Sequence, residues 1–382
     1  LIALCLRPRE LKELLREPLF IAALLFAAWA LLSLDWGRGG EPLGGMFKPP
    51  LHTLLLFAGS YLLVRYRADI LQPLLFGAAL VALIATTIFL FMFARIYEPG
   101  MRLIGGGAFD NPLLSSHLFG FFSAYWLSVT MTCKRRQMMW LSVPAMAVMF
   151  MAVIGTGSRT PLVALTMAAL WLCFICWNRR SVGLLIALAL SGATVLTLFA
   201  QMIIERGDSY RLEIWQKVLH MIADHPWIGH GYSASLAVDP GNGVSFQEPH
   251  SFVLGVLYYV GIIGLLPWLF FLLWGLLSSW RQRVQPMLII ASTWLIFGIG
   301  AGLTEGGGII SRPKEHWFLL WIPLAIIAGM SIAQRRHSLL RMPVQTLKAE
   351  AFDQLCHNAH VIEADGLGPK VLRLEDGSFL KV

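Results

Sequence analysis

Charge is what this sequence has little of. Asp, Glu, Lys and Arg make up 14% of its 382 residues, against 57% hydrophobic ones. A water-soluble domain cannot cover that much apolar surface, so the class is an all-α polytopic membrane protein; the mean hydropathy of +0.67 agrees. Cysteine is also scarce. Cys5, Cys133, Cys173, Cys176 and Cys356 all lie outside the long loops, which excludes a disulfide framework. Cys173 and Cys176 form a CxxC inside the apolar "LWLCFICWNRR" with no second ligand pair nearby, and read as packing. There is no HExxH, no DxD-like acidic pair, no haem or iron–sulfur spacing and no Walker motif, so nothing invites a tightly bound metal or cofactor. The run Gly306-Gly307-Gly308 lacks the GK[ST] of a phosphate loop and reads as a flexible turn. The net charge of +8 does not point to nucleic acid, because the basic residues fall in short clusters between apolar runs.

Those runs are what is there instead. Segments long enough to span lie at 18–34, 51–65, 70–95, 114–132, 138–154, 160–177, 182–203, 250–279, 286–303 and 316–333, about ten in all. The 250–279 run exceeds one crossing, and Gly261, Gly264 and Pro267 are placed to kink or tilt it. If each segment crosses once, the basic connections at Arg65/Arg67, Lys134-Arg135-Arg136, Arg179-Arg180, Arg281/Arg283 and Arg335-Arg336 share one side, which is then cytoplasmic. The opposite face carries the loops 35–50, 96–113, 155–159, 204–249 and 304–315. The domain reading is a transmembrane domain over 1–333 with its large loop at 204–249, then a cytoplasmic tail over 334–382. The chain begins in "LIALCL", which reads as the end of an apolar segment. It closes on "VLRLEDGSFLKV", which reads as two short strands around Asp376-Gly377.

Chemistry is sought on the non-cytoplasmic face. In "GTGSRTPL", Arg159 sits in a tight turn with two readings: an arginine snorkelling to a headgroup, or a bidentate anion clamp. In "ERGDSYRLEIW", Arg206 and Arg211 flank Asp208. Arg211 opens an amphipathic helix whose apolar face is expected at Leu212, Trp215, Val218, Leu219 and Ile222, and it points either into a cavity or at Asp208. His250, after Pro249 and before an apolar run, is expected in the first turn of a span. There it is either a helix-start histidine bonded to a neighbour or a neutral general base, with Glu248 a weaker candidate to orient it. Glu305 closes a span, and Arg312, Lys314, Glu315 and His316 lead into the next. Glu305, Arg312 and Arg206 are held as possible additional site residues.

The ordered set of "TGSR" (156–159), "YRLEIWQKVLHMIADHPWIGHGYS" (210–233) and "EPHSFVLGVLYYVGIIGLLPW" (248–268) resembles the O-antigen ligase family, within the O-antigen ligase/polymerase superfamily. It carries R-x-x-x-W at Arg211–Trp215, P-x-x-G-x-G at Pro226, Gly229 and Gly231, and a histidine entering a glycine-interrupted span. The resemblance implies a GT-C-type glycosyltransferase, multi-pass in the bacterial inner membrane, with its active site facing the periplasm. It implies transfer of a glycan from undecaprenyl pyrophosphate to the lipid A–core, metal-independent and inverting, with no cofactor. Arg159 and Arg211 match the family's pyrophosphate-binding arginines, and His250 matches its base, although family members often carry His-Asn where this chain has His250-Ser251. Members usually have twelve spans, so two more are expected before this chain's first. The tail "VIEADGLGPKVLRLEDGSFLKV" resembles the start of a lipopolysaccharide core kinase domain. The alternatives are an O-antigen polymerase, a protein O-oligosaccharyltransferase, or a transporter of lipid-linked sugars. A transporter predicts ionisable residues at mid-span, where this chain has few.

Overall fold

The computed structural model describes residues 8–39, 43–205, 210–241, 243–306, 310, 317–340, 359–362, 371–374 and 379–381. The chain divides into two compact units, Leu1–Met330 and Ser331–Val382. The helices are α1 (Pro8–Leu14), α2 (Pro18–Leu32), α3 (Leu43–Met46), α4 (Lys48–Ile96), α5 (Pro112–Thr132), α6 (Arg136–Gly155), α7 (Thr160–Cys176), α8 (Arg179–Glu205), α9 (Arg211–Asp224), α10 (Phe252–Arg281), α11 (Pro286–Gly302) and α12 (Ile322–Leu340), the last preceded by a π-turn at Trp317–Trp321. In the second unit, strands β1 (Ala359–Ile362), β2 (Val371–Leu374) and β3 (Phe379–Lys381) pair antiparallel in the order β1-β2-β3, with Val371 opposite Lys381. β2 and β3 are the strands expected around Asp376-Gly377; those two residues lie outside the described ones.

Each apolar segment read from the sequence is helical through its centre. Among the described residues, five stretches are long and apolar enough to cross a membrane: Pro18–Asp35, Gly44–Ile96, Arg136–Gly155, Phe252–Arg281 and Trp317–Gln334. Thr160–Cys176 and Pro286–Gly302 are shorter apolar helices. The protein is a multi-pass, helical membrane protein. The 49 residues of α4 would extend about 73 Å if straight, more than twice a hydrocarbon core of ~30 Å. Arg67 leaves helical geometry (φ −142°, ψ 44°) and breaks it there, between the two segments expected at 51–65 and 70–95.

Aromatic side chains fill the centre of the bundle. Trp126, Trp294, Trp321, Phe57, Phe26 and Phe271 are fully buried, and Phe121 stacks on Trp294 with ring centroids 4.2 Å apart. The buried indole of Trp294 donates to the Phe121 carbonyl at 2.8 Å, because no water is at hand to satisfy it. Small residues set how closely the helices approach. A methyl group on Gly300 of α11 would press on the Ala164 Cα of α7 at 2.9 Å, and one on Gly302 would overlap the Phe252 ring at the start of α10. Three helix ends thus meet where α11 finishes.

The loop between α9 and α10 is sewn into a membrane helix. α10 breaks at Gly261 (φ 64°, ψ −169°), and the segment Pro226–Gly231 occupies the break. His230 and Gly231 donate to the Tyr258 and Tyr259 carbonyls, each at 2.8 Å. Ile262 and Ile263 donate to the Pro226 and Trp227 carbonyls at 2.9 and 3.1 Å. In an unbroken helix Ile262 and Ile263 would bond Tyr258 and Tyr259 themselves, so the inserted segment satisfies the four groups that the break leaves open. The Trp29 indole of α2 takes the next carbonyl, Val260, at 2.8 Å. Gly229 (φ 70°) faces the helix so closely that a Cβ there would lie 2.6 Å from Gly261 N and from the Tyr259 carbonyl. Gly229→Ala should therefore lose about 1–2 kcal/mol from its left-handed backbone alone, and more from the overlap. The expected result is a lower thermal midpoint in detergent and faster proteolysis within 225–250; unchanged melting and digestion would contradict this account of the glycine.

Candidate active site

α9 aims one arginine inward. Arg211 is its first residue, and Ile214, Trp215, Val218 and Ile222 follow at i+3, i+4, i+7 and i+11, on the same stripe. Ile214, Val218 and Ile222 are buried against Leu236, Val238 and Tyr258. The face expected from the sequence is corrected in part. Val218, Ile222 and Trp215 belong to it, whereas Leu212 and Leu219 are 63% and 52% exposed on the flank. An apolar residue at a membrane surface carries little penalty for facing outward, so hydrophobicity alone misplaces it.

The guanidinium of Arg211 meets a carboxylate from elsewhere. Its Nη2 donates to Glu305 Oε1, three residues beyond the end of α11. Thr160, the first residue of α7, donates to the same oxygen at 3.2 Å and lies 3.1 Å from the Thr304 hydroxyl. His250 Nδ1 stands 3.8 Å from Glu305 Oε2, too far for a closed hydrogen bond. The side chain of Glu305 is 5% exposed, that of Arg211 23% and that of His250 27%. His250 and Arg211 therefore reach the surface while the carboxylate between them does not. Burial pushes the Glu305 carboxyl upward, but the His250 ring, the Arg211 charge and the buried His117 of α5 together hold it below the usual carboxylate value.

Two expectations about His250 change. It lies outside the first turn of α10, which starts at Phe252 with Ser251 as its cap, and its own backbone is left-handed (φ 49°). Its partner is Glu305, while Glu248 is exposed. Tyr210, next to Arg211, is the other non-glycine residue with positive φ (61°) among the described residues, so uncommon backbone geometry flanks both candidate groups. Phe246 packs edge-on against the His250 ring, with centroids 5.8 Å apart.

Arg159 is half-buried and caps α7, one residue before Thr160, so the backbone ties it to the same corner. The turn that holds it is braced by a residue sequence reasoning missed. Arg102 Nε donates to the Thr156 carbonyl at 2.6 Å and Nη2 to the Ser158 hydroxyl at 2.9 Å; Leu103 N bonds the Gly155 carbonyl at 2.8 Å. Two of these acceptors are backbone carbonyls, which leave no mark in a sequence. Arg206, Asp208 and Arg312 lie outside the described residues.

The arrangement defines a class: a helical membrane protein in which an imidazole and an arginine meet at helix ends on one buried carboxylate. The sequence profile of the O-antigen ligase family matches residues 144–269, which contain Arg159, Arg211, the Pro226–Gly231 insert, His250 and the Gly261 break. An O-antigen ligase from Pseudomonas aeruginosa is 41% identical over 336 residues, 88% of this chain and 83% of that protein. The chain belongs to the O-antigen ligase family and is an enzyme of the glycosyltransferase type.

Because the Glu305 carboxyl is held low, its contacts stabilise the fold in full above the ordinary carboxylate range and are lost as pH falls through the lowered value. Wild-type protein should lose stability over that acid step, measured by thermal denaturation in detergent. Glu305→Gln should start less stable near neutrality and lack the step; an identical acid profile in both proteins would remove Glu305 as its source.

Proposed function

We propose that the protein transfers a glycan from undecaprenyl pyrophosphate to a sugar hydroxyl of the lipid A–core at the periplasmic face of the bacterial inner membrane. The observation that carries this reading is the meeting of Arg211 and His250 on Glu305, with Arg159 held next to Thr160 at the same carboxylate. Arg159, Arg211, His250 and Glu305 come from the loops that the charge pattern assigns to one face, which supports a ten-crossing, GT-C-type arrangement with the 204–249 loop outside. Membrane lipids surround the spans, and no nucleic acid takes part. The P. aeruginosa relative supports a ligase over a polymerase.

In the proposed reaction an acceptor hydroxyl oxygen attacks the anomeric carbon of the donor. The new C–O bond forms as the bond to the pyrophosphate oxygen breaks, and that oxygen leaves with the electron pair. The configuration at the anomeric carbon inverts. His250 takes the hydroxyl proton, while Arg159 and Arg211 bind the pyrophosphate and stabilise its growing charge without a metal. With Nδ1 facing Glu305, the other ring nitrogen is left to act as the proton acceptor.

The test is transfer by purified protein, with undecaprenyl-pyrophosphate glycan as donor and lipid A–core as acceptor. Wild type should yield glycan-modified core. Arg211→Ala and Arg159→Ala should each lose on the order of 10²–10³ in rate, and His250→Ala about 10²–10⁴. Longer lipid-linked glycans with bare core would make the protein a polymerase, and absence of both products would favour transport. Full transfer by His250→Ala would remove its role as base.

A further inference from the structure

We infer that Glu305 is a positioning residue that couples donor binding to the base: one oxygen holds Arg211 while the donor site is empty, and the carboxylate passes to His250 when pyrophosphate draws Arg211 away. This rests on the reading of Arg211 and His250 given above.

The two carboxylate oxygens are unequally engaged. Among the described residues, Oε1 receives both the Arg211 guanidinium and the Thr160 hydroxyl, whereas Oε2 faces the imidazole at 3.8 Å. That gap is nearly 1 Å longer than a closed N–H···O bond of about 2.9 Å. Four described groups turn a donor or a favourable field on Glu305: Arg211 from α9, His250 from the loop before α10, Thr160 from α7 and His117 from α5. The carboxylate is therefore a shared anion for which donors compete, and Arg211 holds it most closely.

A donor pyrophosphate offers Arg211 more negative charge and a bidentate geometry. Once the guanidinium turns to phosphate, Glu305 is left buried with less compensation, a costly state that a short move toward His250 relieves. Closing that gap fixes the proton on Nδ1, orients the ring and strengthens the opposite nitrogen as a base, the role a buried carboxylate plays for a catalytic imidazole in hydrolytic triads. The base is then strong only when a leaving group is in place. No proton or electron is exchanged in the hand-over; Arg211 trades the carboxylate for phosphate, and Glu305 accepts a hydrogen bond from the neutral imidazole in its place.

Competition makes a prediction that simple scaffolding does not. Glu305→Gln frees Arg211 from its rival, so the full-length variant should bind undecaprenyl pyrophosphate at least as tightly as wild type, by thermal shift with the lipid pyrophosphate as probe. Its kcat should fall about tenfold to a hundredfold, with KM for the donor unchanged or lower, and the acidic limb of its kcat profile should move to lower pH. Glu305→Asp keeps the charge and should recover part of kcat with the wild-type limb. Weaker lipid binding by Glu305→Gln, or a raised KM with kcat intact, would reduce Glu305 to a scaffold for the clamp and overturn the coupling. A kcat loss by the same factor at every pH would overturn it as well. The binding arm needs no turnover, and the kinetic arm can be read on either glycan product. If wild type extends the lipid-linked chain and leaves core unmodified, the ligase reading fails while the coupling is still judged.

Discussion

The backbone exchange at Gly261 is the constraint on which the rest of the site depends. A transmembrane helix gives up two of its own hydrogen bonds, and an external loop supplies four in return, with the Trp29 indole closing the next carbonyl. In a setting without water each of those groups would otherwise remain open at a cost of several kcal/mol. The loop is thereby as firmly fixed as the helices. α9 is packed onto it through Leu236 and Val238, and Arg211 stands at the start of α9. The first turns of α10 lie on the other side of the break and lead back to Ser251 and His250. Arg211 and His250 are held by the same joint.

Around it, a buried carboxylate is tolerated because three polar partners reach it. The glycines of α11 allow this: Gly300 admits α7, and with it Thr160, while Gly302 admits Phe252, two residues after His250. Close helix approach, usually a matter of packing alone in membranes, here sets how Thr160 and His250 stand around Glu305. Larger side chains at these positions would separate the corner without touching a charged group.

Much of this architecture is legible in the amino-acid sequence. The apolar segments can be read because lipid demands long helices. Arg211 can be placed by helical spacing, since Ile214, Val218 and Ile222 repeat from it along one stripe. Glu305 is recognisable as an acid at a span end, but not as the partner of His250; Glu248, two residues away, is the nearer choice along the chain. The features that a sequence hides share a cause. The bonds of Arg102 to Thr156, and of the 226–231 segment to α10, end on backbone carbonyls, and every residue carries one of those. The outward leucines of α9 are hidden for another reason: a helix at a membrane surface can be apolar on both sides.

The break in α10 also bears on how the chain is assembled. An ordinary transmembrane helix completes its hydrogen bonds from its own residues and can settle as soon as it leaves the insertion machinery. α10 cannot, because its midpoint is finished by chain that emerged from the ribosome earlier and must fold back to meet it. Until that return is made, the helix holds open polar groups in lipid, and the two halves of the site have no fixed relation. Order of synthesis therefore bears on this corner of the molecule: His250 and Arg211 take up their fixed relation only once the earlier-made segment has closed the break in α10.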